Sequence, residues 1–326
     1  MKAMLVNQNK DLVWSDVPDP EIGSGEALVK IHAAALNRAD LLQREGKYPS
    51  PPGSPEWMGL EVAGKIVRLG AGAQGSGWEA GDQVCALLGG GGYAEYVSVR
   101  TDMLMPVPKG MTLEEASSLP EAFATSYLNL FVEGDLEAGQ TVFVPAGASG
   151  LASAAIPLAK AFGARVITSV LSDEIAAQIA HLGADVVINS AKQDVEEVFI
   201  AEKEAGHPVN LAMDCLGGKM LGKCLPHMAR NGRWILISTL AGETTEVSLR
   251  PLLTGGTRLI GSMLRNRPIE MKVRILKELV ERVWPKMESG KIKPSVYKVL
   301  PVALAEEAHA ILQRGENKGK VVLRIS

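Results

Sequence analysis

The segment Thr141-Val142-Phe143-Val144-Pro145-Ala146-Gly147-Ala148-Ser149-Gly150-Leu151-Ala152 constrains the fold of this chain more than any other. An apolar strand enters a short turn that holds two glycines and a serine, and the turn opens directly onto an apolar helix. Glycine permits a tight turn and close approach of backbone to a ligand, while unpaired N–H groups and the dipole at a helix N-terminus attract phosphate. Such a junction suits the pyrophosphate of a dinucleotide. Ala152 stands where a third glycine often lets helix pack on strand, and alanine is accepted there. An ordinary β-α turn could carry similar letters, so the surrounding sequence decides.

That sequence repeats the unit. Candidate strands follow at Arg165 to Thr168, Val186 to Asn189, Leu211 to Asp214, Trp234 to Ser238 and Leu259 to Met263. Helical segments lie between them near Gly150 to Phe162, Asp173 to Leu182, Val195 to Glu204 and Lys219 to Met228. Alternation of this kind gives a doubly wound parallel sheet, the Rossmann arrangement, and favours dinucleotide binding over a bare turn. Pro157 inside the first helix removes one hydrogen bond and should bend it.

The first third reads differently. Short apolar runs at Ala27 to Ile31, Val62 to Leu69 and Tyr93 to Val99 are punctuated by Gly and Pro clusters, which suggests a β-rich, barrel-like domain. The tail carries one amphipathic helix, Lys272 to Met287, and strand-like Tyr297 to Pro301 and Lys320 to Ile325. Returning it to the first domain gives a discontinuous α/β organisation, with residues 1–120 and 268–326 in the β-rich domain and 121–267 in the dinucleotide-binding domain.

Composition removes several classes. With 46% hydrophobic and 22% charged residues the chain is a folded protein rather than a disordered one. A net charge of -3 gives no electrostatic footprint for nucleic acid, and the basic stretch Lys286 to Lys298 is short and reads as solvated surface. No run approaches the roughly 20 apolar residues of a membrane span, and the N-terminus has no signal-peptide core, so the expected location is the cytoplasm. Cys85, Cys215 and Cys224 are too few and too scattered for a disulfide framework or a zinc knuckle.

Five ordered motifs then carry a resemblance: Asn37-Arg38-Ala39-Asp40-Leu41, Gln43 to Pro49, Gly59-Leu60-Glu61-Val62-Ala63-Gly64, Leu119-Pro120-Glu121-Ala122-Phe123 and Gly147 to Ala152. Together they resemble the zeta-crystallin-like quinone oxidoreductases, a branch of the medium-chain dehydrogenase/reductases, over essentially the whole chain. The resemblance implies a GroES-like β-rich catalytic domain, a Rossmann domain, a nicotinamide cofactor and a homodimer or homotetramer. It also implies a comparison. Zinc-dependent relatives place a Cys near Asn37 and a His where Leu60 stands, and of that set only Glu61 is kept here. Catalytic zinc needs such ligands, so no metal is expected.

Without a metal to polarise a carbonyl, the accessible hydride chemistry is reduction of an acceptor already electrophilic by conjugation. A small quinone is the first such acceptor and an α,β-unsaturated carbonyl, an alkenal or enone, the second. A protein that binds the cofactor, or nucleic acid, without catalysis is a third reading, which the mild negative charge disfavours in its nucleic-acid form.

By the same resemblance Asn37 and Thr125 belong beside the nicotinamide, and Tyr48 lines the acceptor pocket as hydrogen-bond donor or stacking surface. Tyr48 could instead be a half-buried packing residue, Asn37 a turn residue, and Asp40 is read first as a helix cap. Ala146, Gly147, Ser149, Gly150 and Leu151 are the pyrophosphate contacts. Thr239, Leu240, Leu264 and Arg265 fall at strand carboxyl ends, where open sheets bind ligands. Asn317, in Asn317-Lys318-Gly319-Lys320, resembles a C-terminal cofactor contact or is a charged surface loop.

Ser169, Ser172 and Ser190 are expected near the adenosine ribose. Here the sequence departs from the NADPH-using members, which carry a Lys early in the helix after the second strand and a Tyr after the third. Ser172-Asp173-Glu174 and Asn189-Ser190 occupy those places, and Ser172 could simply cap its helix. The resemblance puts NADPH first; NADH or dual use stays open.

Overall fold

The computed structural model describes every residue from Met1 to Ser326. The chain forms two compact units, Met1–Ala124 with Arg265–Ser326, and Thr125–Leu264. Residues 121 to 124 and 265 to 267, assigned above to the inserted domain, therefore belong to the outer unit.

The inserted unit is built on six parallel strands. Across the sheet they run Val186–Asn189, Arg165–Val170, Thr141–Val144, Val209–Asp214, Arg233–Leu236 and Arg258–Gly261. The chain leaves Thr141–Val144 towards one edge and returns to its other side, and open sheets bind ligands outside the strand carboxyl ends at such a reversal. All four residues of Thr141–Val144 are buried, as expected of a parallel strand covered on both faces. Phe143, Ile167, Ile188, Phe199 and Trp234 form the core of this unit, with Phe143 and Phe199 meeting edge to face at 5.1 Å.

The outer unit carries a seven-stranded sheet. Its centre is the long strand Glu26–Ala35, which pairs antiparallel with Glu61–Leu69, with Tyr96–Arg100 along its first half and with Lys320–Arg324 along its second. The tail thus enters the N-terminal sheet. The segment expected as one helix from Lys272 to Met287 is two, Ile269–Arg282 and Trp284–Glu288, because Pro285 has no N–H to continue the ladder and crowds the residue before it. A further helix, Ala305–Arg314, lies between the last two strands and buries Ala308, Ile311 and Leu312.

Candidate active site

Asn37 ends the central strand's run and caps the helix Arg38–Arg44. The Asp40 carboxylate closes the cap by accepting the Asn37 N–H at 2.7 Å, so the capping reading of Asp40 holds. It does more than cap. Asp40 also accepts the Gly59 N–H at 3.2 Å and the Tyr93 hydroxyl at 3.1 Å, and it is fully buried. Burial lifts its carboxyl to about 6, against the hydrogen bonds from Asn37, Gly59 and Tyr93 that favour the ionised form. Gly59 has φ +104°, and a Cβ there would lie 2.6 Å from Gly92 Cα. Only glycine lets this turn reach Asp40.

The side chain of Asn37 is held from two sides. Its Nδ2 donates to Glu61 Oε1 at 2.9 Å, and its Oδ1 accepts from Lys320 Nζ at 2.7 Å. Lys320 Nζ lies 2.6 Å from Glu61 Oε1 and also donates to the Leu36 carbonyl, while Glu61 Oε2 accepts the Glu121 N–H. Both charged side chains are buried, Glu61 completely. A buried pair persists only where its remaining donors and acceptors are satisfied, and here four further hydrogen bonds do this. The sequence signal was available: Lys320 and Glu61 are charges of opposite sign at the starts of two strongly apolar strands.

Tyr48 and Arg265 form a second cluster in the same unit. The guanidinium carbon of Arg265 stands 4.5 Å from the centre of the Tyr48 ring. Its N–H groups donate to the carbonyls of Gly89 and Tyr48 and to Gln43 Oε1. Arg265, expected at a cofactor contact, is thus 6% exposed and organises Tyr48. Burial is the main cause that raises the Tyr48 phenol above its usual value, so it holds its proton. Asn317 turns its Nδ2 onto the Gly319 carbonyl, shaping the turn that delivers Lys320.

In the inserted unit the turn after Thr141–Val144 is tightly constrained. Ala146 takes a left-handed φ of 54°, uncommon for a residue with a Cβ. Gly147 donates to the Ser169 carbonyl, and a Cβ on it would lie 2.4 Å from Thr168 Oγ1. Ser149 Oγ accepts the Ala152 N–H at the start of the helix Ala152–Ala161. The amides of Ala148, Gly150 and Leu151 find no acceptor in the protein. The helix runs through Pro157.

Around the neighbouring strand ends, Ser172 caps the helix Asp173–Ile179, accepting the Ile175 N–H at 3.3 Å. Ser190 donates to the Val170 carbonyl through both its N–H and its hydroxyl. Between these loops Asp173 accepts from Asn189 Nδ2 at 2.6 Å and pairs with Lys192, a cation that the sequence reading passed over. Thr239 and Leu240 are exposed and Leu264 is buried. Thr125 lies in the helix Pro120–Tyr127, and its carbonyl accepts from Asn129 Nδ2 at 2.7 Å where the next turn widens to π geometry.

No three His, Cys, Asp or Glu side chains converge as metal ligands would. His309 packs edge to face on Tyr93 at 6.0 Å with both ring nitrogens unpaired, and burial pushes it down to about 3, which keeps it neutral. No helix is long and apolar enough to cross a membrane.

Residues 23–109 match the family model described as alcohol dehydrogenase GroES-like domain, and residues 150–281 the one described as zinc-binding dehydrogenase. The chain is 28% identical to a quinone oxidoreductase-like protein 2 homolog of Nematostella vectensis, over 99% of this chain and 88% of that protein. It is 30% identical, over the whole of both chains, to an NAD-dependent alcohol dehydrogenase of Sulfolobus acidocaldarius. The structure of the quinone oxidoreductase from Thermus thermophilus, solved alone and with NADPH, superposes with a TM-score of 0.83 at 30% identity, again over the whole of both chains. With a GroES-like domain, a Rossmann-like parallel sheet, and Asn37 and Leu60 in place of the metal ligands, this chain belongs to the zinc-free, quinone-oxidoreductase-like branch of the medium-chain dehydrogenase/reductase family.

Proposed function

We propose that this protein is an NAD(P)H-dependent quinone reductase that passes hydride to a small quinone without a metal, with NADPH as its first cofactor. The observation that carries the reading is the commitment of the Asn37 amide to Glu61 and Lys320. A site closed in this way offers no Lewis acid, so its acceptor must bring its own electrophilicity.

The turn at Gly147, which a Cβ would fill, and the open amides of Ala148, Gly150 and Leu151 fit a pyrophosphate. When bound, the nicotinamide supplies the hydride. Tyr48 Oη keeps its proton and is the group able to donate it, or a hydrogen bond, to the acceptor oxygen. Arg265 fixes the plane of that ring and sets a positive charge beside the oxygen on which negative charge develops.

Mixing purified protein with a simple quinone and either NADPH or NADH is expected to bleach the reduced-nicotinamide absorbance. No quinone-dependent oxidation with either nucleotide would sink the proposal, and oxidation by a linear enone alone would transfer it to double-bond reduction.

The proposal includes a cytoplasmic location, consistent with three free cysteines, and a homodimer. Arg258–Gly261 is the last strand on its side of the sheet, and Leu249, Leu253, Leu259 and Met263 are exposed on or near it, Leu253 by 84%. An unpaired edge beside exposed apolar side chains invites a second copy. Light scattering is expected to give twice the 34.6 kDa of one chain; a monomer at micromolar concentration would remove the dimer.

A further inference from the structure

The strand register places Asn189 beside Val170, so the loops that follow, Leu171 to Asp173 and Ser190 to Lys192, leave the sheet side by side. In a doubly wound sheet the adenosine ribose lies at this end of the second strand. The one cation bonded within these two loops is Lys192. Its ammonium rests on Asp173 Oδ2, while Asp173 Oδ1 is held by Asn189 Nδ2 at 2.6 Å. Both partners are open to solvent, Lys192 by 66% and Asp173 by 60%.

We propose that Lys192 is the anchor for the 2′-phosphate of NADPH, and that Asp173 holds it in reserve when that phosphate is absent. The inference rests on the nicotinamide-cofactor reading above and deepens it by naming what selects the nucleotide. An exposed ion pair contributes little net stability, so Lys192 can change partners at small cost. A phosphomonoester brings a charge of about -1.5 to -2 and three acceptor oxygens, against the single charge of Asp173, so the ammonium moves to the phosphate. Asp173 opposes the same phosphate by repulsion, and the preference for the phosphorylated cofactor is accordingly moderate. The cation comes from the loop after the third strand, where the helix after the second strand offers only Asp173 and Glu174.

Titrating the full-length protein with 2′,5′-ADP and with 5′-AMP, by calorimetry, separates the 2′-phosphate from the rest of the nucleotide. The wild-type chain is expected to bind 2′,5′-ADP more tightly than 5′-AMP. Lys192→Met should weaken 2′,5′-ADP about tenfold, the loss of one charge-assisted contact, and leave 5′-AMP unchanged. Asp173→Asn should tighten 2′,5′-ADP. Equal effects of Lys192→Met on both ligands, or none on either, would overturn the assignment while leaving dinucleotide binding intact. Failure of the wild-type chain to bind either ligand would overturn it together with the cofactor reading. Both substitutions lie on the surface, so folding is not at stake.

Discussion

Replacing Lys320 by Met is expected to lower the free energy of unfolding by about 3–5 kcal/mol, the cost of leaving a buried carboxylate without its counter-charge. Glu61 would keep the Asn37 amide and the Glu121 N–H but lose the ammonium 2.6 Å from Oε1. Asn37 Oδ1 and the Leu36 carbonyl would lose their donor as well. Thermal unfolding should register a fall of about 10 °C in Tm. The double variant Lys320→Met with Glu61→Gln should recover much of the loss, because no uncompensated charge is then buried. Wild-type stability in the single variant would show the carboxylate reaching water or another cation, and the ion pair would cease to explain how Asn37 is held.

That pair illustrates which parts of the molecule the sequence could disclose. Parallel strands buried on both faces read as unbroken apolar runs, so Thr141–Val144 stands at its expected bounds, and the half-buried edge strand Val186–Asn189 does as well. The helix Val195–Glu204 does too. The helix Leu249–Gly255 fully buries none of its residues and meets the core through Leu252, too little for a core-facing stripe to show. Ala305–Arg314 does carry one, in Ala308, Ile311 and Leu312, but it is a short helix set between two strand-like runs.

Sites divide in the same way. The strand–turn–helix junction at Gly147 is local chemistry and could be read directly. The meeting of Lys320 with Glu61 and Asn37 depends on Lys320–Arg324 and Glu61–Leu69 flanking one strand, Glu26–Ala35, and long-range register is not written in local pattern. Tyr48 came from family resemblance, but its Arg265 partner arises from the return of the chain to the outer unit at that residue.

Replacing Gly147 by Ala is expected to weaken NADPH and NADH alike, by about a hundredfold, since the affected feature is the pyrophosphate turn common to both. The new Cβ would fall 2.4 Å from Thr168 Oγ1 and 2.9 Å from Ile179 Cδ1. Thr168 cannot swing away cheaply, because its hydroxyl donates to the Val144 carbonyl at 2.6 Å in a fully buried setting. The turn itself must therefore shift, and overpacking of this kind costs about 1–3 kcal/mol of stability besides. Intrinsic fluorescence quenching by each nucleotide would measure the loss, with adenosine, which carries no phosphate, as a control for the adenosine end. Adding Thr168→Ala to Gly147→Ala removes the nearest obstructing atom and leaves only the end of the flexible Ile179 side chain in the way, so partial recovery of nucleotide affinity is expected despite the lost hydrogen bond. Undiminished binding by the single variant would place the pyrophosphate elsewhere. If the double variant recovers, the identity of residue 147 is set from behind: the second strand, through Thr168, decides what the phosphate turn is allowed to contain.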